Sequence, residues 1–184
     1  MKFRGLVRVT LQETPWTLSS GPNNQGTVAA PTNPPIVYFH GGGFVAANAC
    51  VLTQSVVPVV RGGANGGFHV YAADYPMGQS GAFPLPILSG LKLLRHVLKD
   101  RGVEECHVYG DSAGAGVASY VVALVCNSRL LRVFQQAVRR HFAIAQSEGR
   151  QLPFSLDDYD SVLCDEAWGL YDVVRELVVF HHPV

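Results

Sequence analysis

The chain has 184 residues, of which 48 % are hydrophobic and only 15 % charged, a balance far from that of disordered chains and suited to one domain with its own core. A fold of this size buries about 70 % of its unfolded surface, so neither a metal nor a disulfide framework is needed to hold it. Lysine plus arginine is 14 and aspartate plus glutamate is 14, which gives no bulk electrostatic pull toward nucleic acid or an anionic membrane and disfavours a basic nucleic-acid binder.

Cys50, Cys106, Cys126 and Cys164 lie far apart with no C-x-x-C pair, so they indicate neither a zinc knuckle nor a dense disulfide scaffold and read as core thiols; no metal and no cofactor are expected. Charges interrupt every apolar stretch between Met1 and Arg8, unlike the continuous apolar segment of a secretory signal. The best apolar run, Val121 to Cys126, falls far short of the roughly 20 residues of a membrane helix. A cytoplasmic, reducing compartment is the expectation.

In chain order, the alternation of Leu6-Val7-Arg8-Val9-Thr10-Leu11 predicts an edge strand, followed by a long loop rich in Ser, Gly, Pro and Asn from Ser19 to Pro35. Three short runs apolar on both faces follow, Ile36 to Phe39, His69 to Ala73 and Cys106 to Tyr109, as strands of a buried parallel sheet require. Between the second and third, Leu88, Leu91, Leu94, Val97 and Leu98 recur at helical spacing. Strand, helix and strand make a βαβ unit, and the predicted fold is a three-layer α/β sandwich with a mainly parallel sheet flanked by helices.

The last third reads as mostly helical. Leu130, Val133, Phe134, Ala137, Val138, His141, Phe142 and Ala145 fall on one helical face, and Leu170, Val173, Val174 and Leu177 begin another pattern after the acidic turn at Asp157, Asp158 and Asp160. A strand-like run returns only at Leu177 to Phe180.

Two motifs carry chemistry. Gly110-Asp111-Ser112-Ala113-Gly114 follows the strand at 106–109 directly and precedes a run of small residues that opens a helix. G-x-S-x-G needs this context: a sharp, strained turn between strand and helix projects the serine, and the helix dipole faces it. The flanking glycines fit because a side chain would collide across so tight a turn. A plain glycine-rich or phosphate-cradling turn is the bland alternative. The second motif, His40-Gly41-Gly42-Gly43-Phe44, sits at the carboxyl end of another strand, where open α/β sheets place ligands. Its uncovered N–H groups are the donors a tetrahedral oxyanion needs.

With these motifs the sequence resembles the hormone-sensitive-lipase-like branch of the α/β-hydrolases, carboxylesterases marked by HGGG upstream and GDSAG at the nucleophile. The similarity extends to Asp74-Tyr75-Pro76 and Phe83-Pro84 and covers roughly residues 34 to 126. The resemblance implies a serine hydrolase that cleaves a small-molecule carboxylic ester, with short uncharged acyl groups, through an acyl-serine intermediate. It implies Ser112 as nucleophile, the backbone N–H groups of Gly41, Gly42 and Ala113 as oxyanion hole, and His40 as a residue that shapes the loop. Asp111 reads as a helix-start charge, because consecutive residues in the elbow point apart. The same family includes plant hormone receptors that keep the pocket and lose the base, so the alternative is a catalytically inactive binding or receptor module, or an inactive fragment.

The triad acid and base remain open. Few residues follow Ser112, and each parallel crossover needs a dozen or more, so one expectation is an incomplete single hydrolase domain over 1–184 with a helical insertion at 127–176 and neither triad partner present. Its Val178-Val179-Phe180-His181-His182-Pro183-Val184 end looks like the strand after the nucleophile helix in the resembled family. The other makes His181 or His182 the base and Asp157, Asp158, Asp160, Asp165 or Asp172 the acid, although the stretch from Asp165 to His181 is short for a crossover helix and strand.

Overall fold

The computed structural model describes residues 2–3, 7–8, 34–45, 70–78, 83–152, 155–164, 168 and 172–173. The elements in chain order are β1 (Lys2–Phe3), β2 (Val7–Arg8), β3 (Ile36–Phe39), β4 (Val70–Ala73), α1 (Leu85–Arg95), β5 (His107–Gly110), α2 (Ala113–Cys126), α3 (Ser128–Ser147), α4 (Asp160–Leu163) and β6 (Asp172–Val173).

The central sheet runs in the order β2-β3-β5, and both pairings are parallel, with Val7 beside Val37 and Val37 beside Val108. β4 lies against β3. α1 connects β4 to β5, which pairs on β3, and a helix is the usual connection into a parallel strand. Alternate residues of a strand face opposite ways: Val37, Phe39 and Val108 join the core that the helices fill, while Ile36 and Tyr38, on the other face, are just as deeply buried. Burial on both faces explains why these strands read as unbroken apolar runs. The α/β architecture read from the sequence, a parallel sheet flanked by helices, is present.

α1 and α2 pack on each other and on β3, and Gly90 marks their closest approach. A Cβ there would lie 2.6 Å from Val121 Cγ2 and 3.0 Å from the Phe39 ring. α1 does not end as a regular helix but widens into a π-helical turn, His96–Asp100, which keeps Val97 and Leu98 buried.

α2 and α3 meet at a bend of 114° at Asn127, whose extended backbone stops the first helix while its side chain caps the second, accepting from the N–H groups of Arg129 (3.1 Å) and Leu130 (3.0 Å). The residues that α3 buries are Leu131, Phe134, Val138, Phe142 and Ala145. Leu130, Val133 and Ala137, which the spacing assigned to the same face, are exposed. A helix presents a stripe of only about 100° to a neighbour, and the predicted set spans two such stripes.

The acidic turn forms a 3-10 helix over Asp157–Tyr159 that leads into α4. Trp168 is buried and donates from Nε1 to Val162 O at 3.2 Å, with Lys99 Nζ 5.0 Å from its ring centre. Asp172 and Val173, expected within a helical pattern, instead form β6, paired in parallel with Lys2 and Phe3. Backbone pairing with the start of the chain is a non-local partner that helical spacing cannot register. The strand expected at 177–180 lies outside the described residues. Of the thiols read as core, only Cys106 is fully buried; Cys126 is half-buried and Cys164 is exposed, and Cys50 lies outside the described residues. Burial, then the neighbouring Glu105 charge, pushes the Cys106 thiol up to about 12.

Overpacking a well-filled core costs about 1–3 kcal/mol. Gly90→Val is therefore expected to lower unfolding stability by about that amount, read from urea denaturation at unchanged slope.

Candidate active site

β5 delivers the chain into the elbow and α2 takes it away. Between them Ser112 adopts φ 48° and ψ −120°, a left-handed conformation that costs a residue with a Cβ on the order of 1–3 kcal/mol. Three close contacts hold it there. A Cβ on Gly110 would overlap the Gly114 carbonyl, and one on Gly114 would overlap the Phe39 and His40 carbonyls. The Asp111 N–H also donates to Phe39 O at 3.3 Å. The first turn of α2 thus rests on the end of β3, with Ser112 exposed at the apex.

The glycine loop after β3 is folded against this elbow. Ideal Cβ positions place Gly41 3.1 Å from Ser112 Cβ and 3.0 Å from Asp111 O, so no larger residue fits between loop and serine. Gly42 and Gly43 have φ of 109° and 61°, and Phe44 follows at 62°. Such a left-handed run turns successive N–H groups toward one side and makes a concavity suited to an anion.

Side chains from three strand ends fasten the loop. Asp111 Oδ1 accepts from the Gly41 N–H at 2.9 Å and from the Tyr38 hydroxyl at 2.5 Å. Gly41 O accepts from His40 Nδ1 at 2.7 Å, and the Tyr75 hydroxyl donates to His40 O. The His40 ring is fully buried and stacked on Tyr75 with centres 4.4 Å apart; its Nε2 is 3.9 Å from Asp74 Oδ1 and has no hydrogen bond. Burial, then the Asp111 charge, raises the Tyr75 and Tyr109 hydroxyls above their ordinary range, so Tyr75 remains a donor.

One sequence expectation changes here: Asp111 reads from the sequence as a helix-start charge, yet it points back across the elbow and braces the glycine loop. The Gly41 N–H, one of the three expected oxyanion donors, donates to Asp111 Oδ1 in this structure. The N–H groups of Gly42 and Ala113 have no acceptor among the described residues. Tyr38 carries no signal of the site, because it reads as one residue of an apolar strand; Tyr75 belongs to the Asp74-Tyr75-Pro76 stretch of the resemblance, which assigns it no role.

An apolar cavity of about 460 Å³ opens beside the elbow, lined by Phe44, Phe83, Ile87, Ala113, Val117 and Tyr120 among others. No charged side chain lines it. Ser112 Oγ has no hydrogen-bond partner among the described residues. Asp158 Oδ2 accepts from Ser155 Oγ at 3.2 Å, Asp160 Oδ1 accepts from Cys164 Sγ at 3.1 Å, and Asp157 lines a separate cavity with Phe142 and Arg150. None of the three lines the cavity at the elbow. Asp172 is in β6, while Asp165, His181 and His182 lie outside the described residues. Among the described residues no three His, Cys, Asp or Glu side chains gather as a metal-ligand set.

A strained serine between a parallel strand and a helix, with a glycine loop from the neighbouring strand packed on it, is the arrangement of an α/β hydrolase. A family model of the alpha/beta hydrolase fold matches residues 36–145, and the chain belongs to that family, with the described part forming an incomplete version of the fold. No curated protein and no solved structure matches the chain.

A hydrogen bond to a charged group contributes about 1.5–3 kcal/mol. Asp111→Ala is expected to lower stability by about 2 kcal/mol and to speed hydrogen exchange at the Gly41 amide, both measurable on the same samples.

Proposed function

We propose that the chain is a serine hydrolase of carboxylic esters, of the hormone-sensitive-lipase-like carboxylesterase kind, with Ser112 as nucleophile. The observation that carries this reading is the positive φ of Ser112 at the apex of the elbow with Gly41 packed against its Cβ. Such strain is kept only where the surroundings enforce it, and it aims Oγ outward, away from the backbone groups of its own helix.

In the proposed reaction Ser112 Oγ attacks the ester carbonyl carbon while a general base takes its proton. The carbonyl oxygen becomes an oxyanion held by the Gly42 and Ala113 N–H groups, which need no reorganisation because the loop is fastened beforehand. Collapse breaks the carbon–oxygen bond to the alcohol, which leaves with the proton, and water then releases the acid by the same steps. The acyl group would occupy the apolar cavity, whose lining favours uncharged chains. The base and its acid are sought at His181 and His182 and at Asp165 and Asp172.

A fluorophosphonate probe tests the reading. Ser112 is expected to be labelled in the wild-type chain and the label to vanish in Ser112→Ala, as located by mass spectrometry of the peptide. A folded wild-type chain that stays unlabelled at saturating probe would contradict the proposal and leave the cavity a binding role.

A further inference from the structure

The helix that fits the core with one stripe carries a second apolar stripe that is exposed. Leu130, Val133, Ala137 and Ile144 recur at a spacing that puts them on one side of α3, and Leu130, Val133 and Ile144 are 42 %, 57 % and 41 % exposed. We propose that this outward face of α3 docks on the surface of an anionic lipid bilayer.

Charge selects this occupant. The chain as a whole is neutral, but α3 contains Arg129, Arg132, Arg139 and Arg140 and no acidic residue. Arg139, on the opposite flank, is 3.7 Å from Asp160. Arg129 and Arg140 border the apolar stripe, Arg132 lies further round, and all three are exposed and without an ion pair or side-chain hydrogen bond among the described residues. Apolar residues rimmed by long basic side chains are what a helix lying in a headgroup layer presents: the stripe enters the acyl boundary while the arginine stems reach up to phosphate. A second copy of this face would bring Arg129, Arg132 and Arg140 against their equivalents, and the carboxylate at its end, Glu148, is already paired with Arg150 at 2.7 Å, which disfavours self-association. No single described helix is long and apolar enough to cross a bilayer, and the proposed contact is peripheral.

The stripe is also continuous with the cavity. Phe134, at the edge of the buried stripe and one helical turn from Leu130, meets the Phe83 ring edge-on with centres 6.3 Å apart. Phe83 lines the cavity and is itself 67 % exposed, with Tyr120 and Phe44 on the same rim. A surface docked on α3 would therefore lie at the cavity mouth, where an apolar ligand could enter without crossing water.

The test is sedimentation of the full chain with phosphatidylcholine vesicles, with and without phosphatidylserine, at low and high salt. Binding is expected only with phosphatidylserine and is expected to weaken with salt. With about 1 kcal/mol for each arginine near the surface, Arg129→Gln with Arg140→Gln should weaken partitioning roughly 30-fold. Val133→Asp, at an exposed site, should weaken it while circular dichroism stays unchanged. Equal binding to both vesicle types, or unchanged partitioning of these variants, would overturn the proposal. So would a chain that stays in solution with both vesicle types, which would assign the stripe to a protein partner. Partitioning requires no turnover, so its failure is distinct from a failure of Ser112 labelling.

Discussion

The carboxylate of Asp111 takes both the Tyr38 hydroxyl and the Gly41 N–H, and through these two bonds the ends of β3 and β5 become one rigid surface. A carboxylate that accepts from a backbone N–H and a hydroxyl in a partly buried setting makes stronger bonds than neutral partners would. Those bonds oppose the loop's freedom, which three consecutive glycines would otherwise make large. Tyr75, just past β4, and His40, just past β3, fix the same loop. The N–H groups of Gly42 and Ala113 are consequently held in place before any ligand arrives, and that is the condition under which fixed dipoles stabilise developing charge.

Everything beneath that surface serves to keep two strand ends at a fixed separation. The parallel pairing sets Tyr38 beside Tyr109 and Phe39 beside Gly110, so the two loops leave the sheet level with each other. Gly114 lets α2 rest directly on the carbonyls at the end of β3, and Gly90 lets α1 approach α2 and Phe39. The strain at Ser112 is held because the contacts of Gly110 and Gly114 are backbone against backbone, where no side chain can swing aside to relieve it. α3 adds its inward stripe to the same core through α2, and its outward stripe is not part of that core.

Legibility in the sequence followed the range of the interaction. The strands at Ile36 to Phe39 and His107 to Gly110 were readable because burial on both faces leaves an unbroken apolar run, and the elbow because strand, serine turn and helix are contiguous. Asp111 was misread because its partners, Tyr38 and Gly41, stand 73 and 70 residues away, and no local pattern encodes such a contact. The same applies to β6, whose partner is at the start of the chain. On α3 the spacing was right and the face too wide, because periodicity counts apolar residues without knowing how many neighbours there are to cover them. The candidates for the triad acid and base were legible only as residue types. Asp158 bonds Ser155, Asp160 meets Cys164 and Arg139, and Asp157 lines a separate cavity, all three away from the cavity at the elbow.

The proposal at the centre of this account is that Gly42 and Ala113 donate to the oxyanion while the Gly41 N–H stays on Asp111. A crystal structure of the Ser112 phosphonate adduct tests it most directly, because the phosphonyl oxygen occupies the oxyanion position. The account predicts that oxygen at about 2.7–3.1 Å from the Gly42 and Ala113 nitrogens, with the Gly41 N–H still on Asp111. An adduct oxygen bonded to the Gly41 N–H, with Asp111 displaced, or turned away from the loop altogether, would contradict it.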